Sequence, residues 1–254
     1  MPYFEVKPVD QHLSSLIECF WVSHSASQPI SHRILPDGCM DIIYTFPNLS
    51  QKIAEPFVAV APRLIGMMTQ PAIVQANPGV DQLGVRFRPG GIFPFVKTPL
   101  HLFTNLSEQV DNVNKVLGSA IYEQLIELST WQERIGKLET HLIQQLSNVS
   151  YPVPMGVVIR QIIQERGQLS IKQLSAQTSI GSRQLERNFK HYVGVSPKLL
   201  SRIIRFRYIT TLLKDTSRDS LMGIAFTNGY TDHAHLTREF QEFSGLQPSA
   251  YLLH

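Results

Sequence analysis

Apolar positions along this chain follow two periods, and the change between them falls near residue 106. Before it, short apolar runs alternate with turn-forming residues. The runs are Asp41-Ile42-Ile43-Tyr44-Thr45-Phe46, Val58-Ala59-Val60 and Gly84-Val85-Arg86-Phe87-Arg88, and the turns are Pro36-Asp37-Gly38, Asn77-Pro78-Gly79 and Pro89-Gly90-Gly91. Runs of β-branched and aromatic residues bounded by Pro and Gly predict strands. Their regular spacing predicts a small sandwich or barrel. One helix interrupts this pattern over residues 11–20, where Leu13, Leu16, Ile17 and Phe20 share a helical face.

From about 106 to 146 the pattern turns helical. Ile135, Leu138, Leu142 and Leu146 recur at spacings of three and four, and Leu125, Leu128 and Trp131 extend the stripe upstream. Such a stripe seats a helix on its own domain or pairs it with a second copy, and spacing alone leaves both open. The polar, proline-bearing segment 147–154 then predicts an interdomain linker.

Beyond it the chain repeats itself. Ser170-Ile171-Lys172-Gln173-Leu174-Ser175 corresponds to Ser220-Leu221-Met222-Gly223-Ile224-Ala225, and Leu185-Glu186-Arg187-Asn188-Phe189 to Leu236-Thr237-Arg238-Glu239-Phe240. Gly194 and Pro197 correspond to Gly245 and Pro248. Duplication at this period means two copies of one supersecondary unit. In the first copy Ile171 and Leu174 face inward, Thr178-Ser179-Ile180-Gly181 turns the chain, and a helix over 182–192 buries Leu185 and Phe189. In the second, Leu221, Ile224 and Ala225 face inward, Asn228-Gly229-Tyr230 turns, and Asp232 caps a helix that buries Leu236, Phe240 and Phe243.

Each copy therefore reads as helix, tight turn, helix. A single such corner serves packing as readily as recognition; two in tandem on a basic segment point to duplex DNA. Between them a helix from about 196 to 214 opens on Pro197, which suits a first turn. Its length is about 28 Å at 1.5 Å per residue, against a groove repeat of about 34 Å. It carries Lys198, Arg202, Arg205 and Arg207, all candidates for phosphate contact.

Charge sharpens this picture. The net charge of +3 hides a net negative stretch over 1–150 and a net positive one over 151–254. A basic half beside an acidic half suits a polyanion partner, although basic patches also serve solubility. At 254 residues, two domains of ordinary size are expected. Two cysteines, Cys19 and Cys39, supply neither a disulfide scaffold nor an all-cysteine zinc site. They also exclude the clustered-cysteine centre that a DNA-alkyl-transfer enzyme would need. The N-terminus lacks a basic segment followed by an apolar one, and no apolar run approaches the ~20 residues of a membrane span. A cytoplasmic protein with no membrane association is expected.

Leu185-Glu186-Arg187-Asn188-Phe189-Lys190 with Gly194-Val195-Ser196-Pro197 resembles the first helix-turn-helix of AraC/XylS-type transcription regulators. Ala225, Gly229-Tyr230-Thr231-Asp232, Leu236-Thr237-Arg238-Glu239-Phe240, Gly245-Leu246-Gln247-Pro248 and Tyr251 resemble the second. The resemblance covers residues 155–254. It departs at Ser179, where the first turn usually has glycine, and at Gln247, which replaces a serine. It implies base reading by the N-terminal parts of both recognition helices: Arg183, Glu186 and Arg187 in the first, with Lys190 beside them, and His233, Ala234 and Arg238 in the second. Arginine can fork onto guanine O6 and N7, and glutamate can accept from cytosine N4. The competing expectation for Arg187 and Arg238 is an ion pair within the protein. Arg202 joins the DNA-contacting set from the intervening helix.

In the N-terminal half, Cys19-Phe20-Trp21, His32-Arg33-Ile34-Leu35-Pro36-Asp37-Gly38-Cys39-Met40-Asp41 and Gly84-Val85-Arg86-Phe87-Arg88-Pro89-Gly90-Gly91 resemble a module found on a subset of the same regulators. In the wider family this position holds a sensor, often cupin-like, with helices that dimerise. Phe20, Trp21, Tyr44 and Phe46 are candidates to line an effector pocket, with a plain core as the competing expectation. His24, His32, Asp37, Cys39 and Asp41 show no diagnostic metal-ligand spacing, and Cys39 has no paired base.

The expected fold is α+β: a mainly-β, cupin-like or small-barrel domain with C-terminal helices over 1–150 (strands 1–105, helices 106–147), then an all-α tandem helix-turn-helix domain over 155–254. The expected function is a sequence-specific DNA-binding transcription regulator, not an enzyme, whose N-terminal domain binds a small effector or dimerises. The alternative is a constitutive regulator with a purely dimerising N-terminal domain. Expected partners are double-stranded DNA, a small-molecule effector, RNA polymerase and a second copy in a homodimer; no cofactor or metal is expected.

Overall fold

The computed structural model describes residues 3–24, 30–47, 60–76, 78–146, 153–178, 180–213 and 221–251. Val58 and Ala59 of one expected strand, residues 147–152 of the expected linker, Ser179 of the first turn and residues 214–220 lie outside them.

The N-terminal region is mainly β, followed by helices. Strands β1 (Tyr3–Val6), β2 (Ile17–Ser23), β4 (Met40–Pro47), β5 (Arg63–Ile65), β7 (Val80–Phe87) and β8 (Ser107–Gln109) form one antiparallel sheet in the order β1-β2-β7-β4-β5-β8. Strands β3 (Ile30–Ile34) and β6 (Ala72–Ala76) make a separate two-stranded ribbon. Strand β4 alternates buried and half-buried positions along its length, the period of a strand with one face on a core.

The expected helix over 11–20 is shorter. Helix α1 (Gln11–Leu16) is capped by Asp10, whose Oδ1 accepts from the backbone of His12 and Leu13 at 2.8 and 2.9 Å. From Ile17 the chain joins the sheet interior as β2, between β1 and β7. Cys19 to Val22 are all buried, so a continuous apolar run of this kind satisfies strand pairing better than an amphipathic helix. The expected helical stretch from 106 also opens differently, because Ser107–Gln109 adds edge strand β8 beside β5.

Helices α3 (Ser119–Ile126) and α4 (Trp131–Leu146) close over the sheet. Thr130 and Glu133 make a reciprocal capping box at the start of α4: Thr130 N donates to Glu133 Oε2 at 3.0 Å, and Glu133 N to Thr130 Oγ1 at 3.2 Å. The apolar stripe is spent inside the chain. Leu125, Ile135, Leu138 and Leu142 are buried in the same core as β4 and β7, which is the intramolecular seat of the two expected. The buried Arg134 donates to the carbonyls of Leu125 and Leu128 at 3.1 and 2.7 Å and lies over the Phe46 ring.

The remaining helices are α2 (Phe93–Val96), α5 (Val153–Gln164), α6 (Ile171–Thr178), α7 (Ser182–Tyr192), α8 (Pro197–Leu213), α9 (Leu221–Thr227), α10 (His233–Ser244) and α11 (Pro248–Tyr251). The apolar core of the sheet continues through Val158 and Ile162 of α5 into Leu174, Leu185 and Phe189. A second, smaller core gathers Ile203, Phe206 and Ile209 of α8 with Ala225, Tyr230, Leu236, Phe240 and Phe243. No helix among the described residues is long and apolar enough to cross a membrane.

Candidate nucleic-acid interface

The first unit is built by α6 and α7. Ser170 and Gln173 cap α6 reciprocally, with Ser170 N donating to Gln173 Oε1 at 2.9 Å and Gln173 N to Ser170 Oγ at 3.3 Å. Leu174, Leu185 and Phe189 are fully buried and fix the crossing of the two helices. That burial leaves Arg183, Gln184, Glu186, Arg187 and Lys190 exposed on the opposite face of α7. Arg187 Nη2 donates to Gln184 Oε1 at 2.8 Å, one turn back. Gln184 was not among the expected contacts, but its spacing to Arg187 places it on the same outward face.

The second unit repeats the design with α9 and α10. Gly229, at φ 86°, turns the chain between them. Asp232 caps α10 as expected, accepting from His235 N at 2.7 Å. That N–H and the Thr231 hydroxyl hold the Asp232 carboxyl below its ordinary range. Leu236, Phe240 and Phe243 are buried, while His233, Ala234 and Arg238 are exposed. Arg238 Nε donates only to the Ala234 carbonyl of its own helix, at 3.2 Å. Among the described residues neither Arg187 nor Arg238 forms an ion pair within 4 Å.

The intervening helix departs from expectation. Arg202 is turned inward: its Nε donates to Glu239 Oε1 at 2.6 Å and its Nη2 to Glu242 Oε2 at 2.5 Å, so carboxylates occupy the edges a phosphate would take. Arg205 Nη2 donates to the Gly167 carbonyl at 2.8 Å. Arg207 donates to Glu18 of β2 at 2.5 Å. Burial works to raise the Glu18 carboxyl, and the Arg207 guanidinium overrides it, bringing it to about 2. Of the four cations expected to reach phosphate, Lys198 alone stays exposed without a partner among the described residues.

The expected effector aromatics are core residues. Phe20, Tyr44 and Phe46 are 0 % exposed. Tyr44 OH donates to the Leu117 carbonyl at 2.7 Å, and Phe46 meets the Tyr122 and Trp131 rings edge-on. Trp21 is tied through Nε1 to Asp41 at 2.7 Å. A cleft of about 390 Å³ lies elsewhere, between α1, the turn after β7 and α5.

Residues 5–109 match a domain family of unknown function (DUF6597), and residues 174–254 match the helix-turn-helix domain family. No curated protein matches the chain. Among solved structures, apo ToxT from Vibrio cholerae strain SCE256, as a point variant, is 11 % identical with a TM-score of 0.43, covering 92 % of this chain and 97 % of that one. ToxT from Vibrio cholerae O395 bound to (E)-4-(8-methylnaphthalen-1-yl)but-3-enoic acid is 12 % identical with a TM-score of 0.43, covering 89 % and 98 %. With its two capped helix pairs and the family match over 174–254, the C-terminal part of the chain is a helix-turn-helix domain of the AraC type.

Proposed function

We propose that the chain is a sequence-specific DNA-binding transcription regulator, with residues 155–254 as its DNA-reading unit and 1–150 as the unit that controls it. The observation that carries this is the pair of outward helix faces, Arg183, Glu186, Arg187 and Lys190 on α7 and His233, Ala234 and Arg238 on α10. Their guanidiniums are exposed and uncommitted to carboxylates, as bidentate base or phosphate contacts require. Helix α8, of 17 residues and about 26 Å long, runs between the two units. With the width of the helices added, a spacer of that length suits adjacent segments of the major groove. Selection of bound fragments from a random duplex pool by the full chain tests the reading. The expected result is a motif spanning about two helical turns; a pool that stays unenriched overturns it.

A small effector is proposed to bind where the N-terminal unit meets α5, in the cleft between α1 and α5 rather than among the aromatics of the core. Leu16, Pro89, Ile159 and Ile163 supply apolar walls, and Arg88 and Arg160 supply charge. Arg88 Nε donates to the Ser14 carbonyl at 3.1 Å, and Arg160 is exposed with no partner among the described residues. Apolar walls with two cations and no lining carboxylate suit a small apolar carboxylate. A thermal-shift screen of carboxylates against their amides tests this. Stabilisation by the acids alone, abolished in Arg88→Gln/Arg160→Gln, supports it; no shift by any of them leaves the constitutive regulator as the better reading.

A further inference from the structure

Besides its packing on α5, the N-terminal module touches the DNA-reading half, among the described residues, near the ends of α7 and α10 and at the middle of α8, away from the base-reading faces. At the end of α7, Thr104 Oγ1 donates to the Gly194 carbonyl at 2.8 Å, and the Phe93 ring meets the Tyr192 ring edge-on at 4.6 Å. At the middle of α8, Arg207 donates to both Glu18 carboxylate oxygens, at 2.5 and 3.2 Å, and to the Asp37 carbonyl at 3.3 Å. Beside that pair Gly38, at φ +84°, lies so close to α8 that an added Cβ would stand 3.2 Å from Leu200 and 3.3 Å from Ile204. At the end of α10, Arg33 Nη1 of the β3–β6 ribbon donates to the Ser244 carbonyl at 2.5 Å, and Leu35 packs against the second core.

These contacts differ in kind. The first unit shares one apolar core with the sheet, so its pose on the module is fixed by packing. The second unit has a core of its own. It is held to the rest by α8, with the Arg202 carboxylate pair, and from the module by Leu35 and by polar contacts at Glu18 and Arg33. Each recognition helix is gripped at its C-terminal end, which leaves its N-terminal, base-facing part free.

We propose that the module is a gauge: through Glu18 and Arg33, acting on Arg207 and on the carboxyl end of α10, it sets the angle between the two recognition helices and thereby the spacing of the two base clusters the chain accepts. These are positioning residues that touch no DNA. The proposal rests on the DNA-reading function above and adds a determinant of specificity to it. Two rigid reading heads accept one spacing. Two heads joined only through α8 accept several, because the bend available to a single helix displaces its far end.

The test is a duplex library in which the two base clusters selected by the wild-type chain are separated by every spacing within about three base pairs of the preferred one. Wild type is expected to bind one spacing at least tenfold better than the others. The double variant Glu18→Gln/Arg33→Ala is expected to flatten that preference to within about threefold while keeping the base preference inside each cluster. Charge reversal checks the latch itself: Glu18→Arg and Arg207→Glu each broaden the profile, and the two together restore it. Base preferences inside the clusters and the melting temperature are read alongside. A double variant with the wild-type spacing profile overturns the gauge. So does a uniform loss of affinity at all spacings that follows the fall in melting temperature, which is what a merely structural role gives. If wild type enriches no motif, the DNA-reading function fails first and the gauge with it; a sharp wild-type motif with unaltered variants sinks the gauge alone.

Discussion

Arg202 of α8 and Glu239 of α10 face each other, with Nε 2.6 Å from Oε1 and the glutamate only 2 % exposed. The pair joins α8 to the recognition helix from inside. Glu242, one turn further along, takes the other edge of the same guanidinium. The two carboxylates outweigh the effect of burial and raise the arginine above its ordinary range.

Arg202→Ala leaves the buried Glu239 carboxylate with His235 Nε2, 3.7 Å away, as its nearest remaining basic neighbour among the described residues. Breaking a buried pair from one side costs about 3–5 kcal/mol, and urea denaturation should show a loss of that order. The salt dependence of DNA binding, measured below the melting range, should keep its slope. A variant as stable as wild type whose log–log salt slope is shallower by about one would return Arg202 to the phosphate-contacting set.

Arg183→Ala and Arg187→Ala should behave in the opposite way. Both side chains are exposed and carry no carboxylate, so thermal stability should stay within about 0.5 kcal/mol of wild type. Each should relax the base preference at one position and cost about 1–3 kcal/mol of specific binding. Binding-site profiles unchanged in both variants would remove the base-reading assignment from α7.

Acid should unlatch the module from α8. The Glu18 carboxyl, ordinarily at 4.5, is held at about 2 by Arg207. Its folded value lies below its unfolded one, so the stability it contributes is fully present above about 4.5 and is lost as pH falls toward about 2. Urea midpoints taken down this range should fall more steeply for wild type than for Glu18→Gln. Parallel curves would mean that the pair contributes nothing.

Leu138→Ala should weaken folding rather than association. Leu138 is 0 % exposed within the chain's own core, and truncation of such a leucine costs about 2–5 kcal/mol. Sedimentation should give the variant the same mass as wild type. A drop from dimer to monomer without loss of stability would contradict the intramolecular seat of α4.

The tandem units were legible because their signals are local. Asp232, Gly229 and the Leu236–Phe240 pair determine a cap, a turn and a buried face within one short window, and the duplicated pattern fixed the period. Ser170–Gln173 is a capping signature of the same local kind, with its serine and glutamine at i and i+3. What sequence could not supply was partnership over distance. Nothing near Arg202 or Arg207 indicates that one would meet carboxylates 37 and 40 residues later and the other a glutamate 189 residues earlier. The same limit governs residues 17–20, whose helical spacing was genuine but yielded to pairing with β7, joined by β1 at Phe20. Aromatic residues at strand spacing likewise do not say whether the space they face is filled. Around Tyr44 and Phe46 it is filled by Tyr122 and Trp131, which arrive from α3 and α4.

The division of the apolar interior gives the two reading heads unequal endurance. One is cast in the same mass as the sheet, so losing it means dismantling most of the chain. The other rests on a small cluster of its own and should open at a lower free-energy cost. On warming, the chain would therefore pass through a stage with one hand on the duplex, and occupancy of its site should decay in two steps rather than one.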